Sequence, residues 1–121
     1  MIQLTPQMRL LVCVDPADFR KGIDGLCALC RKRLAADPFS GVVFIFRNQR
    51  ATAVKLLTYD GQGFWLCLKR LSKGHFAYWP TADAEVQREM LAHELQVLLA
   101  GGDPDGTRAA PQWRRLPRPV P

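Results

Sequence analysis

The sequence contains no long hydrophobic run. None of its 121 residues belongs to a stretch of about eighteen uncharged apolar residues, which argues against a membrane-spanning helix. Arg9 interrupts the apolar N-terminal stretch and no small-residue cleavage site is present, so we expect no signal peptide and a cytoplasmic location. With 48% hydrophobic and 23% charged residues, the chain has the composition and length of one globular domain with a real core.

Histidine and cysteine, the residues that most often hold zinc, are few. The two histidines, His75 and His93, have no metal-ligand spacing to any of the four cysteines. Cys27 and Cys30 form a CxxC pair, but in the middle of a predicted helix and not at a helix N-terminus, where the dipole would lower a thiol pKa. We therefore interpret the cysteines as buried thiols, with a metal or redox site as the weaker alternatives, and predict no metal and no cofactor.

Acidic residues are scarce outside one segment of the chain. Residues 1–75 hold twelve Lys and Arg against five acids, residues 76–107 one against six, and residues 108–121 four against none. The basic body suggests an anionic partner such as nucleic acid, and an ordinary solvated surface is the plainer alternative. Capping of the first helix explains Asp15 and Asp18, an ion pair with Arg20 one turn away explains Asp24, and a turn explains Asp60. No nucleophile stands beside a base. We predict that the protein is not an enzyme.

Apolar runs separated by turn residues fill the middle of the chain. Val42 to Phe46 is a continuous apolar run typical of a central strand, and Asp60-Gly61 predicts a hairpin between two further strands. The pattern predicts an α+β fold built on a mainly antiparallel β-meander of four or five strands, with residues 42–71 at its heart. A last short strand is expected over residues 75–79.

A first helix is predicted before this meander. Asp15 is a good N-cap and Pro16 suits a first turn, so we expect the helix to run from there to about Leu34 and to pack on one face of the sheet. Gly22 and Gly25 weaken the helix, and they indicate either a close approach by another backbone or an irregular first turn.

The end of the chain combines a second helix and a tail. A C-terminal helix is predicted over residues 81–100, with Gly101-Gly102 ending it. Three glutamates, Glu85, Glu89 and Glu94, contribute to its acidic character. We expect one domain over residues 1–102, followed by a disordered Pro- and Arg-rich tail over residues 103–121.

Basic residues gather near the turns of the predicted sheet and at the start of the first helix. A stiff sheet with basic rims suits a polyanion, whose phosphates these cations would contact without reading sequence. Period-2 alternation places Lys69 and Arg70 on opposite faces of their strand. The candidate nucleic-acid-binding residues are Arg20, Lys21, Arg47, Arg50, Lys55, Lys69, Arg70 and Lys73. The nearby aromatic residues Trp65, Phe76, Tyr78 and Trp79 could stack on bases, but core or edge packing is the commoner role of such side chains.

Several motifs resemble one protein family. The segments that carry the resemblance are DFRKGIDGL (18–26), DPFSGVVFIFRNQR (37–50), VKLLTYDGQGFWLCLKRLSKGHFAYWP (54–80) and LQVLLAGG (95–102). They are similar to the accessory protein TnpB, encoded by the second open reading frame (Orf2) of the insertion-sequence-sixty-six family of bacterial transposable elements. The similarity spans about residues 4–102, and the CxxC cysteines are not part of the family motif.

The resemblance implies a role in transposition beside a separate transposase, and it supplies no catalytic residue. Two hypotheses follow. In the first, a non-enzymatic accessory protein binds DNA through its basic surface. In the second, an adaptor binds the transposase or another accessory protein of the same element without touching DNA, and the acidic C-terminal helix docks the basic partner. The RNA-guided nuclease that shares the name TnpB is far longer and needs an acid constellation that this chain lacks.

Overall fold

The computed structural model describes Thr5, residues 7–81 and residues 86–103. Within them the chain forms a sheet and two helices, in the order β1 (Leu10–Cys13), α1 (Ile23–Lys32), β2 (Val43–Arg47), β3 (Ala53–Tyr59), β4 (Phe64–Arg70), β5 (Gln87–Met90) and α2 (Ala92–Leu99). No helix of the described residues is long and apolar enough to cross a membrane. The predicted domain boundary near residue 102 and the predicted tail over residues 103–121 stay predictions, because most of these residues lie outside the described ranges.

The five strands form one mixed sheet in the order β4-β3-β2-β1-β5. The antiparallel meander β2-β3-β4 confirms the predicted core of the α+β fold, and its last hairpin turns at Asp60-Gly61 as expected. The parallel pairing of β1 with β2, in which Leu11 lies opposite Phe44, was not predicted. It arises because α1 connects the two strands as a crossover, which parallel neighbours require.

Apolar residues are buried on both faces of this sheet. On the α1 face, Phe44, Phe46 and Leu57 pack against the helix through Leu26 and Cys30. On the opposite face, the α2 face, the core consists of Leu10, Val12, Val43, Ile45, Val54 and Leu56 together with Leu95 and Leu98 of α2. Because β2 is covered on both sides, its continuous apolar sequence is that of a central strand, as predicted.

Helix α1 begins later than the sequence predicts. Its N-cap is Gly22, and Asp15 forms an ion pair with Arg33 at 2.6 Å. The intervening segment is held by tertiary contacts, since Ala17 N–H donates to the carbonyl of Arg47 at 2.8 Å. The close approach by another backbone, one of the two alternatives for Gly22 and Gly25, is not present among the described residues: a Cβ added to Gly25 would lie 2.9 Å from Cβ of the Lys21 side chain, and one added to Gly22 would meet nothing within 4 Å.

The predicted second helix is wrong in its first half. Residues 87–90 form strand β5, which pairs with the outer edge of β1, so that Met90 lies opposite Leu10. Helix α2 runs only from Ala92 to Leu99, and Gly101, which follows the C-cap residue Ala100, has a φ of 91° that suits the predicted glycine stop. Residues 82–85, where the prediction placed the start of the helix, lie outside the described ranges.

The strand expected over residues 75–79 is also wrong. This segment is irregular and crosses one end of the sheet, where Phe76 N–H donates to the carbonyl of Ala51 at 2.7 Å. Farther along, the indole N–H of Trp79 donates to the carbonyl of Cys13 at 3.0 Å. These two bonds go to a loop carbonyl and a strand-end carbonyl, and residues 75–79 form no strand.

Candidate nucleic-acid interface

One end of the sheet collects the ends of four strands. Strands β1 and β2 are parallel, and β4 runs in the same direction as β2 because both are antiparallel to β3. The carboxyl ends of β1, β2 and β4 therefore meet beside the start of β3, where Ala53 lies opposite Arg70 and Val54 lies opposite Arg47. Arg50 follows β2 and Lys73 follows β4, so both lie at this end of the sheet. We call it the basic end of the sheet.

A cleft of about 1000 Å³ opens at the basic end. One wall is the chain that leaves β1, residues 16–20, and the other wall is the connection after β2, residues 48–50. The carboxyl ends of adjacent parallel strands are where open α/β sheets place ligands. The cleft brings together Arg20 and Arg50, two of the predicted residues that lie thirty positions apart in the sequence.

The β2–β3 wall of the cleft depends on Asn48. Its side-chain carbonyl accepts the N–H groups of Thr52 and Ala53 at 2.9 and 3.1 Å, and its amide donates to the Thr52 hydroxyl at 2.8 Å. Ala51 completes the turn in the left-handed region with a φ of 56°. Sequence reasoning assigned no role to Asn48, although asparagine between two apolar strands is a known signal for such side-chain-to-backbone turns.

The β1–α1 wall carries an exposed ion pair. The carboxylate of Asp18 accepts the backbone N–H of Arg20 at 2.9 Å and lies 2.7 Å from its guanidinium. These hydrogen bonds from Arg20 hold the pKa of Asp18 well below its usual range. The expected pairing of Arg20 with Asp24 is therefore replaced by a pairing within the loop, because the helix starts only after Gly22. The positive charge of Arg20 is partly offset where it stands.

Three of the eight predicted residues are tied to backbone carbonyls. The ammonium group of Lys55 donates to the carbonyls of Phe19 and Lys21 at 2.9 and 3.1 Å. Lys69 donates to the carbonyl of Leu99 at the C-terminal end of α2, where a positive charge is favourable. Arg47 is half-buried and donates to the carbonyls of the next two residues at 3.2 and 3.3 Å. Each of these cations therefore has an intramolecular function in the fold.

Four of the predicted residues remain as exposed cations. These residues are Lys21, Arg50, Arg70 and Lys73. Their side chains form neither an ion pair nor a hydrogen bond with any described residue. Lys69 reaches α2, whereas Arg70 belongs to the α1 face, which confirms the predicted separation of this pair. The structure thus brings the predicted basic residues to one end of the sheet and divides them into free and engaged groups.

A family model described as "IS66 Orf2 like protein" matches residues 8–109. The chain belongs to the IS66 Orf2-like family. The matched region includes every strand and helix and the whole basic end. Membership indicates an accessory protein of insertion-sequence transposition and confirms the resemblance in the sequence motifs.

Two curated relatives of this IS66 Orf2-like chain come from Sinorhizobium fredii (strain NBRC 101917 / NGR234). "Uncharacterized protein y4jC" is 37% identical over 111 residues, which cover 92% of the chain and 86% of the relative. "Uncharacterized protein y4hO" is 32% identical over 96 residues, which cover 79% of the chain and 82% of the relative. No solved structure matches the chain significantly.

The aromatic residues of this IS66 Orf2-like chain are engaged in packing and hydrogen bonds. Phe76 is buried in the core of the α2 face, and Trp79 and Tyr78 are half-buried against the same core. Trp65 is 57% exposed, but it lies at the opposite end of the sheet, where its indole N–H donates to Asp60 at 2.7 Å. Packing, the commoner expectation, therefore accounts for Phe76, Tyr78 and Trp79. The basic end contacts these residues through Arg47, above the Trp79 ring, and through the Ala51 carbonyl, which accepts the Phe76 N–H.

The cysteines have the environment of core residues. Cys13, Cys27 and Cys30 are buried between α1 and the sheet, and Cys67 is half-buried. Burial raises the pKa of Cys13 to about 11 and that of Cys30 to about 12, so both remain protonated thiols near neutral pH. The described residues contain no group of three or more His, Cys, Asp or Glu side chains that could hold a metal ion.

Proposed function

We propose that this IS66 Orf2-like chain is a non-enzymatic accessory protein of transposition that binds the DNA backbone through the basic end of the sheet. The observation that carries the proposal is a group of exposed cations, of which Arg50, Arg70 and Lys73 stand at the joined ends of β2, β3 and β4 and Lys21 stands in the segment between β1 and α1. Lys21, Arg50, Arg70 and Lys73 hold no acidic partner within the described residues and are available to phosphates.

The division of the cations limits the number of phosphate contacts. Lys55 and Lys69 already donate to carbonyls, and releasing them would leave those carbonyls without their donor. The free cations, together with Arg20 if a phosphate displaces Asp18, supply about four or five contacts. Because each phosphate contact contributes about −0.9 to the log–log dependence of affinity on salt, the expected slope is about −4.

Phosphate contacts position a protein but carry no sequence information. We therefore expect the affinity for the terminal repeats of the element and for random DNA of equal length to be similar. A strong preference for the repeats would show that base contacts, made outside the basic end, dominate the binding.

A salt series of DNA-binding measurements on single variants tests the site itself. Arg50→Gln should weaken binding for all sequences alike and make the salt slope less steep by about one contact. Arg9→Gln is the matched control, because it removes the same charge at the opposite end of β1. In the native chain Arg9 pairs with Glu89 there at 3.1 Å. Equal losses in the two variants, or a salt response that is flat in the native chain, would refute the proposed site.

The second candidate function is an adaptor that binds the transposase without DNA contact. The three glutamates expected to form its docking helix do not share one helix. Glu89 lies in β5 and pairs with Arg9, Glu94 accepts the N–H of Leu91 at the start of α2, and Glu85 lies outside the described residues. Retention of the transposase on the immobilised chain after nuclease treatment, with no DNA binding at low salt, would favour this function.

A further inference from the structure

Strand β4 is a long and open edge of the sheet. The two edge strands differ, since β5 has four residues, three of them polar or charged, whereas β4 has seven residues with the sequence FWLCLKR. Short, charged edges resist pairing with other chains, and long apolar edges invite it. On β4, Trp65 and Leu68 are 57% and 60% exposed, on opposite faces of the strand.

The direction of the hydrogen bonds in the β3–β4 hairpin defines which backbone groups face outward. Asp60 bonds to Gly63 at one end of the hairpin and Leu71 bonds to Thr52 at the other. Antiparallel bonding alternates along a strand, so residues 65, 67 and 69 direct their N–H and C=O groups to β3. Residues 64, 66, 68 and 70 direct theirs outward, and no described residue bonds to them.

We propose that β4 pairs antiparallel with β4 of a second copy of this chain, about a dyad at Cys67. In this register residues with outward groups meet each other, Leu66 opposite Leu68 and Phe64 opposite Arg70 of the second copy. Trp65 meets Lys69 of the second copy, so that each aromatic side chain faces a cation and no like charges oppose each other. The strand sequence is therefore complementary to itself.

Neighbouring registers lose this complementarity. A slip by one residue brings outward groups against groups already bonded to β3. A slip by two residues leaves residues at one end of β4 beyond the partner strand. In one direction Arg70 then lies opposite the turn residue Gln62, and in the other it lies opposite Leu66. Only the dyad at Cys67 pairs all seven residues. Of the four exposed cations proposed to contact DNA, only Arg70 lies in the paired strand.

The mass of the full chain in solution tests the pairing. Light scattering coupled to size exclusion should give twice the 13.6 kDa of one chain. Leu68→Pro removes an outward N–H that β3 does not use, and an edge strand tolerates proline at such a position. It should raise the dissociation constant of the dimer by about tenfold or more, because the lost bond occurs twice in the symmetric pair. Leu68→Thr, which keeps the N–H and introduces a β-branched side chain that suits a strand, is the matched control and should remain dimeric.

A thiol cross-link tests the register, and it does not depend on the folding of the proline variant. Opposed residues at a non-hydrogen-bonded antiparallel pair lie about 4.5 Å apart between Cα atoms, so a short bismaleimide should join the two Cys67 side chains. Cys67→Ser should abolish the product, since the other three thiols are buried. A monomeric native chain, a dimer that persists in folded Leu68→Pro, or a cross-link that survives Cys67→Ser would each overturn the proposal.

Discussion

At the scale of single residues, the cations of the basic end are of two kinds. Some donate hydrogen bonds to backbone carbonyls, and the others are exposed without such a contact. Lys55 extends from β3 beneath the segment that joins β1 to α1, donates to two of its carbonyls and lies 4.9 Å from the ring of Phe19. It thus fastens a wall of the cleft to the sheet. Lys73 lies in an exposed turn and has no such contact within the described residues.

Lys55→Met should therefore destabilise the fold. The methionine keeps the apolar stem but leaves the carbonyls of Phe19 and Lys21 without their donor, which costs about 1–3 kcal/mol. Urea unfolding measures the change, and Lys73→Met, which removes the same charge at an exposed position, should stay within about 0.5 kcal/mol of the native chain. Equal stability of the two variants would show that the Lys55 bonds contribute nothing to the fold.

At the scale of elements, the connection between β2 and β3 is the part of the basic end most dependent on one side chain. Asn48 satisfies two backbone donors and one hydroxyl, and the turn that it closes carries Arg50 and accepts Phe76 N–H through Ala51. The position of the free cation Arg50 thus depends on a neutral residue that contacts no ligand in our proposal.

Asn48→Ala should lower stability and weaken DNA binding together. Losing the half-buried side-chain bonds to Thr52 and Ala53 should cost about 1–3 kcal/mol, or several degrees in the melting temperature of a domain of this size. The looser turn should also reduce affinity for DNA at low salt. Gln49→Ala, an exposed neighbour whose side chain makes no bond within the described residues, is the control for both measurements. Unchanged affinity in Asn48→Ala would mean that the turn does not position Arg50 for binding.

The elements that the sequence predicts well are those with local causes. The apolar run of β2 and the Asp60-Gly61 hairpin carry their own patterns, and both are in place. Strand β5 has the polar sequence QREM and is a strand because the outer edge of β1 offers it backbone partners, a cause that lies far away in the sequence. The same holds for the site, where composition predicts the cations but only tertiary contacts decide that Lys55 binds carbonyls and Arg50 does not.

At the scale of the whole molecule, charge and core are separated in space. Helices α1 and α2 cover opposite faces of the sheet, and the exposed cations Arg50, Arg70 and Lys73 lie at the end where β1, β2 and β4 finish. The titrating groups divide in the same way. The carboxylates of Asp18 and Asp60 are exposed in turns, and the thiols of Cys13 and Cys30 lie in the core beneath α1.

These two sets of groups bound the pH range of stability. Hydrogen bonds from Arg20 lower the pKa of Asp18, and the N–H groups of Gln62 and Gly63 lower that of Asp60, so their contributions are complete above about pH 4 and are lost as the pH falls below it. Burial raises the pKa of Cys13 to about 11 and that of Cys30 to about 12. Their unfolded forms ionise from about pH 8.5, so their contribution is complete below that pH and is lost as the pH rises toward 11 or 12.

Urea midpoints measured from pH 3 to pH 11 should therefore show a plateau between about pH 5 and pH 8 that falls on both sides. Cys30→Ala tests the source of the alkaline fall, because it removes one buried thiol and should make the fall above pH 9 shallower while lowering the plateau through the lost packing. An alkaline fall of the same steepness in Cys30→Ala would show that the buried Cys30 thiol has no part in limiting the stability of the molecule at high pH.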